Sequence, residues 1–420
     1  MERCQRRFHL FAPGCRSNRA EGEAFAALLE GAGWVRDEAP AEGCVALVAG
    51  CVVTARAERD ARRYVRRARR KAPGVRIVAA GCLAERLERF PGPSWDADLI
   101  VPLRSRSRLP ELLEGLEPGS APPEEGFFFV PVFKMAGRTR SFFKIQDGCD
   151  AACVFCLVRV VRGGVRSLPP GRLLAHAEEL IRRGTREIVL CGTHLGAWGR
   201  DLPDRPDLAS LLPRLDALPG EWRWRLSSLE PWDLSDALLD ALAAARRFCR
   251  FFHVPLQSAS ERVLKAMGRP CSATDFFRRV DRVRRLFPGA RIGTDVMAGF
   301  PGESAADAGE TLERLEAAPL DYLHVFPFSA RPHRPDLGPP LPPAEVTARA
   351  EALKALDRRL READRARRVG TVSRALIAPW GGILEENLSC RFTVPPPAGR
   401  IVPARITGWE GATARAEVEV

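Results

Sequence analysis

The sequence predicts an α/β protein in three parts: an N-terminal parallel sheet, a central (β/α) partial barrel and a small C-terminal antiparallel β-barrel. Three observations predict it. Short apolar runs of strand length alternate with helical patterns from residue 6 to about residue 365, the pattern of parallel sheets flanked by helices. Two stretches rich in turn formers, Glu117–Gly126 and Arg334–Pro343, interrupt that alternation. After Val372 the runs become short, β-prone and separated by Gly and Pro, which fits a small barrel. The length suits two or three domains, and the boundaries are expected at 6–118, 135–365 and 366–420.

In the first part, Arg7–Ala12, Val45–Ala49, Val75–Ala80 and Asp98–Val101 are predicted strands. Asn18–Gly33, Ala55–Lys71, Ala84–Phe90 and Ser105–Leu116 are the helices between and after them. In the second, the predicted strands are Ser141–Ile145, Glu187–Leu190, Trp224–Ser227, Phe252–Pro255, Arg291–Val296 and Tyr322–Phe326. Their helices are Pro170–Arg183, Asp236–Ala245, Ala259–Met267, Ala273–Phe287 and Ala305–Ala317, followed by the Arg-rich helix Ala344–Arg368. Six strands in this order favour a barrel or partial barrel. In the third, Val372–Pro379, Arg391–Val394, Ile401–Thr407 and Thr413–Val418 are the predicted strands.

Hydrophobic residues make up 45% and charged residues 28%, which excludes wholesale disorder. No apolar run approaches the roughly 18 residues a membrane helix needs. The basic start has too short an apolar stretch for a secretory signal, so the expected compartment is the cytoplasm, with no membrane partner. The formal charge is +12, and lysine supplies only five of the 65 basic side chains. A GC-rich genome accounts for arginine over lysine but not for the sign, which points to a polyanionic partner, nucleic acid first. The run Arg62–Lys71 is helical with arginines on more than one face: either a solvated surface or a phosphate contact.

Twelve cysteines in such a chain point to metal or catalysis rather than disulfides. Cys149, Cys153 and Cys156 stand at CxxxCxxC spacing directly after a predicted strand. Three thiolates on one tight loop can hold three irons of a four-iron cluster and leave the fourth open to a small molecule. Zinc fits less well, because structural zinc sites take four ligands, usually in two separated pairs. A second group, Cys15, Cys51 and Cys82, has one thiol after each of three predicted strands, hence all at the carboxyl edge of one parallel sheet, where open α/β sheets place ligands. Their separations, 36 and 31 residues, match one strand–helix unit each. They could hold a second cluster or be buried packing residues. Cys4, Cys44, Cys191, Cys249, Cys271 and Cys390 lack triplet partners and are expected to pack.

The loop resembles the signature of radical S-adenosylmethionine (SAM) enzymes, with Phe155 in the aromatic place. In that family the open iron chelates the amino and carboxylate groups of SAM, and an electron passed through the cluster yields a 5′-deoxyadenosyl radical. Residues 8–120 resemble the N-terminal domain of the methylthiotransferases, with GCRSNRAEGE and GCLAER in the family's places, and the resemblance extends to a TRAM-like C-terminal barrel. It implies a flavodoxin-like first domain, a second 4Fe-4S cluster on Cys15, Cys51 and Cys82, and SAM as both methyl donor and radical source. It also implies tRNA as partner, a low-potential electron donor of flavodoxin or ferredoxin type, and a sulfur donor. Lys144–Cys149, Glu187–Leu202, Arg225–Pro231, His253–Ser260 and Thr294–Glu303 look most like the subgroup that methylthiolates C2 of N6-threonylcarbamoyladenosine beside the anticodon. The alternatives are isopentenyladenosine in tRNA and an aspartate of a ribosomal protein. Departures from the family pattern are Ala49-Gly50 before Cys51, Arg159, Ala259, His333-Arg334 and a short barrel.

Replacing an unactivated aromatic C–H by C–S–CH₃ lies beyond side-chain acids and bases, so the cofactor carries the reaction and the protein positions it. Gly192, Thr193 and His194 lie where radical enzymes contact the methionyl amino group. Ser228 and Glu230 end a strand and suit ribose or the carboxylate; capping is the alternative. Gln257 and Ser258 follow the next strand, and Asp295 sits inside the one after. His253 is expected to be a satisfied core histidine. Trp380 and Phe392 of the barrel suit base stacking or packing. Two rivals remain: an inactive RNA binder and a colourless zinc module. The cluster reading predicts a brown protein with about eight irons per chain.

Overall fold

A computed structural model describes residues 6–52, 55–90, 95–115, 126–132, 139–331 and 337–419. Cys4, most of Glu117–Gly126 and His333-Arg334 lie outside them. Two compact units result: the described residues within 1–133, 142–150 and 156–168 form the first, and those within 134–141, 151–155 and 169–420 the second.

The first unit is built on a parallel five-stranded sheet. Its elements are β1 (Arg7–Phe11), α1 (Arg16–Gly31), β2 (Val35–Arg36), β3 (Val45–Ala49), α2 (Ala55–Lys71), β4 (Arg76–Ala80), α3 (Gly81–Arg89), β5 (Leu99–Ile100) and α4 (Leu109–Leu113). The strand order is β2-β1-β3-β4-β5, and every neighbouring pair runs parallel. Val45–Ala49 is buried throughout, as a central strand covered on both faces must be. One face packs Phe25, Leu29, Leu47, Val78 and Leu109; the other packs Val48, Val65, Ile77 and Leu83. The helix expected over Ser105–Leu116 divides into a 3₁₀ turn, Leu103–Arg108, and the short α4. Pro110 explains the division: it lacks the N–H an α-helix would need there and suits the first turn of a new helix. The two-residue β2 lacks the length that makes a strand visible in sequence.

β6 (Arg140–Lys144) leads to a small antiparallel pair, β7 (Gln146–Asp147) and β8 (Arg166–Ser167), with α5 (Val158–Arg162) between them. In the second unit follow α6 (Pro170–Arg182), β9 (Glu187–Cys191), α7 (Leu208–Asp216), β10 (Arg223–Leu226), α8 (Asp236–Ala244), β11 (Phe251–His253), α9 (Glu261–Ala266), α10 (Ala273–Leu286), β12 (Arg291–Ala298), α11 (Ala305–Glu316), β13 (Tyr322–Pro327) and α12 (Pro343–Arg368). β9 and β10 pair parallel, as do β11, β12 and β13. The isolated bridges Trp224↔Phe248 and Ser228↔His253 join the two groups into an open arc, the expected partial barrel. α9 begins at Glu261 rather than Ala259, because Ser258 and Ala259 are engaged by Thr311 instead.

The last strands are β14 (Val372–Ala378), β15 (Gly381–Leu384), β16 (Ser389–Phe392), β17 (Ile401–Glu410) and β18 (Thr413–Val418), closed in the order β14-β15-β16-β18-β17. The barrel is not wholly antiparallel as expected: β16 and β18 pair parallel. A closed ring with an odd number of strands cannot alternate direction all the way round, so one parallel pair is required. β15 escaped prediction because Gly381-Gly382 carries no β-propensity. Gly382 is needed nonetheless, since a Cβ there would sit 2.6 Å from Cys390 Sγ.

Candidate functional site

In the first unit the three strand-end cysteines share one small region. Cys15 is the N-cap of α1, Cys51 follows β3, and Cys82 lies in the first turn of α3. A helix N-terminus favours thiolate over thiol. Asn18 ties the loops together: its Nδ2 donates to Pro13 O at 2.7 Å and to Ala49 O at 2.6 Å. Leu83 N donates to Gly50 O at 3.0 Å. Gly14, at φ 110°, passes so close to Cys51 that a Cβ would lie 2.5 Å from its Cβ and 3.2 Å from its Sγ. Gly50, the departure from the family pattern, admits Leu83, whose Cβ would be 2.7 Å from an added methyl. A hydrogen bond with Cys51 is the largest influence on the Cys15 thiol, which falls to about 6; the charges of Arg162 and Lys144 add to the drop. Burial pushes the Cys82 thiol up, and Arg162 opposes that rise. Closely set thiols, two of them at helix N-termini beside a cation, fit a thiolate-ligated iron–sulfur group.

Beside them lies a buried ion network that the sequence reading missed. Arg106 Nη1 lies 2.7 Å from Glu21 Oε1, Lys144 Nζ lies 2.8 Å from Asp147 Oδ2, and Arg162 Nη1 donates to Glu21 Oε1 at 2.8 Å. Burial would raise the Glu21 carboxyl, but Arg162, Lys144 and Arg106 outweigh it and hold it at about 2. Partners as much as 141 residues apart leave no sequence signal beyond the lysine of the KIQDGC block.

The CxxxCxxC loop is shared between the units, Cys149 and Cys156 with the first and Cys153 with the second. In the first unit, Cys149 N donates to Gly163 O at 3.0 Å and Cys156 Sγ accepts from Val158 N at 3.4 Å. Gly148 is obligatory: its φ is 76°, and a Cβ would lie 1.8 Å from Gly164 O. In the second unit, Val154 N donates to Met267 O at 3.0 Å, and Arg269 Nη1 lies 3.9 Å from Cys153 Sγ.

The second unit gathers most of the other predicted residues at strand ends. His194 Nε2 is 2.8 Å from Asp233 Oδ2, and Gly196 lets Asp233 approach, since a Cβ would lie 2.2 Å from its Cγ. Gly192 and Thr193 lead into this turn after β9. Ser228 follows β10. Arg269 Nη2 lies 2.8 Å from Glu230 Oε2 and stacks over Trp232 at 4.7 Å. Burial raises the Glu230 carboxyl, against Arg269 and His194. Gln257 Oε1 is buried without a hydrogen-bond partner among the described residues. Gln257 also stands at φ 82°, a strained setting for a non-glycine residue of the kind concentrated at functional sites. An orphaned acceptor of this kind fits an amino or hydroxyl donor of a nucleoside–amino acid such as SAM. Ser258 is turned elsewhere: fully buried, its Oγ lies 3.2 Å from Thr311 Oγ1. Asp295 Oδ1 lies 3.0 Å from His253 Nε2 and 3.4 Å from His324 Nδ1, and these imidazoles hold its carboxyl well below the usual range against burial. His253 is a satisfied histidine, its Nδ1 2.9 Å from Tyr322 Oη.

A (β/α) arc following a CxxxCxxC loop defines the radical SAM class, and residues 143–315 match the Radical SAM superfamily. Residues 7–91 match the uncharacterized protein family UPF0004. The threonylcarbamoyladenosine tRNA methylthiotransferase MtaB of Thermotoga maritima is 34% identical over 339 residues, 77% of this chain and 74% of that protein. The tRNA-2-methylthio-N(6)-dimethylallyladenosine synthase of Cereibacter sphaeroides is 34% identical over 389 residues, 89% and 86% of the two chains. This chain belongs to the radical SAM tRNA methylthiotransferase family. In fold it resembles the radical SAM methyltransferase TsrM of Kitasatospora setae at TM-score 0.54 and 14% identity, over 76% of this chain and 72% of that one. The class implies SAM and a 4Fe-4S cluster. Among the described residues no helix is long and apolar enough to cross a membrane.

Proposed function

We propose that this protein methylthiolates C2 of N6-threonylcarbamoyladenosine beside the anticodon of tRNA, using SAM and two 4Fe-4S clusters. Residues 6–118 would carry the second cluster, 135–365 the radical chemistry, and 366–420 a tRNA-binding barrel. The observation that carries the two-cluster reading is the grouping of Cys15, Cys51 and Cys82 at one sheet edge beside Arg162. For the substrate, the reading is supported by the threonylcarbamoyladenosine-directed relative of Thermotoga maritima, 34% identical over 77% of this chain.

Cys149, Cys153 and Cys156 hold the cluster at which SAM supplies radical chemistry, and the other triplet holds the cluster that carries sulfur. Gln257 and the Arg269-paired carboxylate of Glu230 accept hydrogen bonds from the cofactor, and Ser228, Gly192 and Thr193 line the same strand ends. Asp233 fixes the orientation of His194. A low-potential flavodoxin or ferredoxin and a sulfur donor complete the system in the cytoplasm. The arginines of α2 that line one groove, Arg59, Arg62, Arg63, Arg66 and Arg70, offer a contact for tRNA phosphates.

A second reading, with dimethylallyladenosine as substrate, is favoured by relatives such as that of Cereibacter sphaeroides, which this chain matches over a greater length. The two readings separate on synthetic anticodon stem-loops carrying either base, incubated with the reconstituted full-length enzyme, SAM and a reductant. Methylthio product on the threonylcarbamoyl substrate alone is expected. Product on the dimethylallyl substrate alone establishes the second reading, and product on neither defeats both.

A further inference from the structure

We propose that Arg162 sets the reduction potential of the cluster held by Cys15, Cys51 and Cys82, through a hydrogen bond to the Cys82 sulfur. This rests on the proposed assignment of those cysteines as ligands. Arg162 Nε donates to Cys82 Sγ at 3.0 Å, and both residues are buried. The guanidinium cannot swing away. Its Nη1 donates to Glu21 Oε1 at 2.8 Å and Asp147 Oδ2 at 3.3 Å, and its Nη2 donates to Glu21 Oε2. With both terminal nitrogens committed to carboxylates, Nε stays aimed at the sulfur.

Charge leads to the same role. Lys144, Arg106 and Arg162 are three buried cations facing two buried carboxylates, Glu21 and Asp147. Arg166, half-buried, adds a more distant fourth at 3.7 Å from Asp147. An isolated surplus cation is costly away from water. The Cys82 sulfur, a thiolate once it ligates the cluster, would supply the missing negative charge. An N–H donor and a positive charge at a ligand sulfur both stabilise the more electron-rich state, so they raise the reduction potential. Low dielectric strengthens both effects.

The origin of the donor matters as well. Arg162 ends α5, which begins two residues after Cys156, and the next residue, Gly163, accepts a hydrogen bond from Cys149 N. The segment that carries one cysteine group therefore delivers the donor to the other.

The test uses the full-length chain with Cys149, Cys153 and Cys156 all changed to alanine and reconstituted with iron and sulfide without oxygen, so that any cluster signal comes from the remaining triplet. Iron content and an EPR-monitored redox titration are compared for this parent, Arg162→Lys, Arg162→Gln and the charge-balanced double variant Glu21→Gln with Arg162→Gln. The expected result is retained iron, about four per chain, and a lower midpoint in both glutamine variants. The change in the reduction equilibrium is at least tenfold, about 59 mV for one electron, with Arg162→Lys in between. In the parent labelled with ¹⁵N-arginine, the reduced cluster shows a ¹⁵N hyperfine coupling that Arg162→Lys loses. An unchanged midpoint in variants that keep their iron overturns the proposal. So does the absence of that coupling in the parent, a result that depends on no variant folding. A parent that holds no iron instead defeats the cluster assignment, and the proposal with it.

Discussion

Arg225 grips Glu187 with two nearly parallel hydrogen bonds, Nε to Oε1 at 2.8 Å and Nη2 to Oε2 at 2.9 Å, with neither side chain exposed. Arg223 and Arg140 each lie 2.7 Å from the same carboxylate. The remaining donors of Arg223 and Arg225 go to barrel carbonyls, among them Ile383 O at 2.7 Å and Glu385 O at 3.1 Å. One acid at the start of β9 thus organises the guanidinia that fasten the C-terminal barrel within its unit.

Glu187→Gln should therefore be costly. It leaves three guanidinia facing a neutral amide, and breaking a buried pair from one side costs about 3–5 kcal/mol. Urea unfolding should show a lowered midpoint that corresponds to a loss of that size in unfolding free energy. A midpoint within experimental error of the parent would show that the carboxylate does not bear this role.

Gly14→Ala should damage the cysteine site without touching a thiol. The backbone is at φ 110°, and the new methyl would meet Cys51 Cβ at 2.5 Å. Left-handed strain of about 1–3 kcal/mol adds to the clash. Iron bound after reconstitution should fall toward half of the parent value, while Gly171→Ala, at a position with open space, should leave it unchanged.

Acid should weaken the fold through His176. Burial on α6 lowers this imidazole from 6.5 to about 4, against the opposing charge of Glu179. The unfolded chain takes up the proton first, so the contribution is complete above pH 6.5 and is lost as the pH falls toward 4. Its full size is about 3 kcal/mol. Unfolding midpoints measured at pH 7 and pH 5 should differ more for the parent than for His176→Gln. Equal differences would exclude this source.

Replacing Arg59, Arg66 and Arg70 by alanine should weaken tRNA binding without regard to base identity. It should also reduce the slope of log affinity against log salt by about one for each phosphate no longer neutralised. An unchanged slope would make that groove a solvated surface only.

Much of this architecture was legible because its signals are local. β3, α2 and β18 have the predicted bounds, and each of Cys15, Cys51 and Cys82 follows its strand. What stayed hidden depends on distance in the chain. Glu21 meets Arg106 and Arg162 across 85 and 141 residues, and Arg223 meets Ile383 across 160, separations that no periodicity reports. Ser258 looked like a strand-end pocket residue but turns to Thr311, a choice made by the packing of α11. α5 and α7 were missed because short helices carry too few turns to display a face.

The most direct test of the account is mass spectrometry of nucleosides from total tRNA of cells with and without this gene. Loss of 2-methylthio-N6-threonylcarbamoyladenosine, with its unthiolated precursor accumulating, is the predicted result. An unchanged level of that nucleoside, whether or not the dimethylallyl analogue falls, would contradict the proposed substrate.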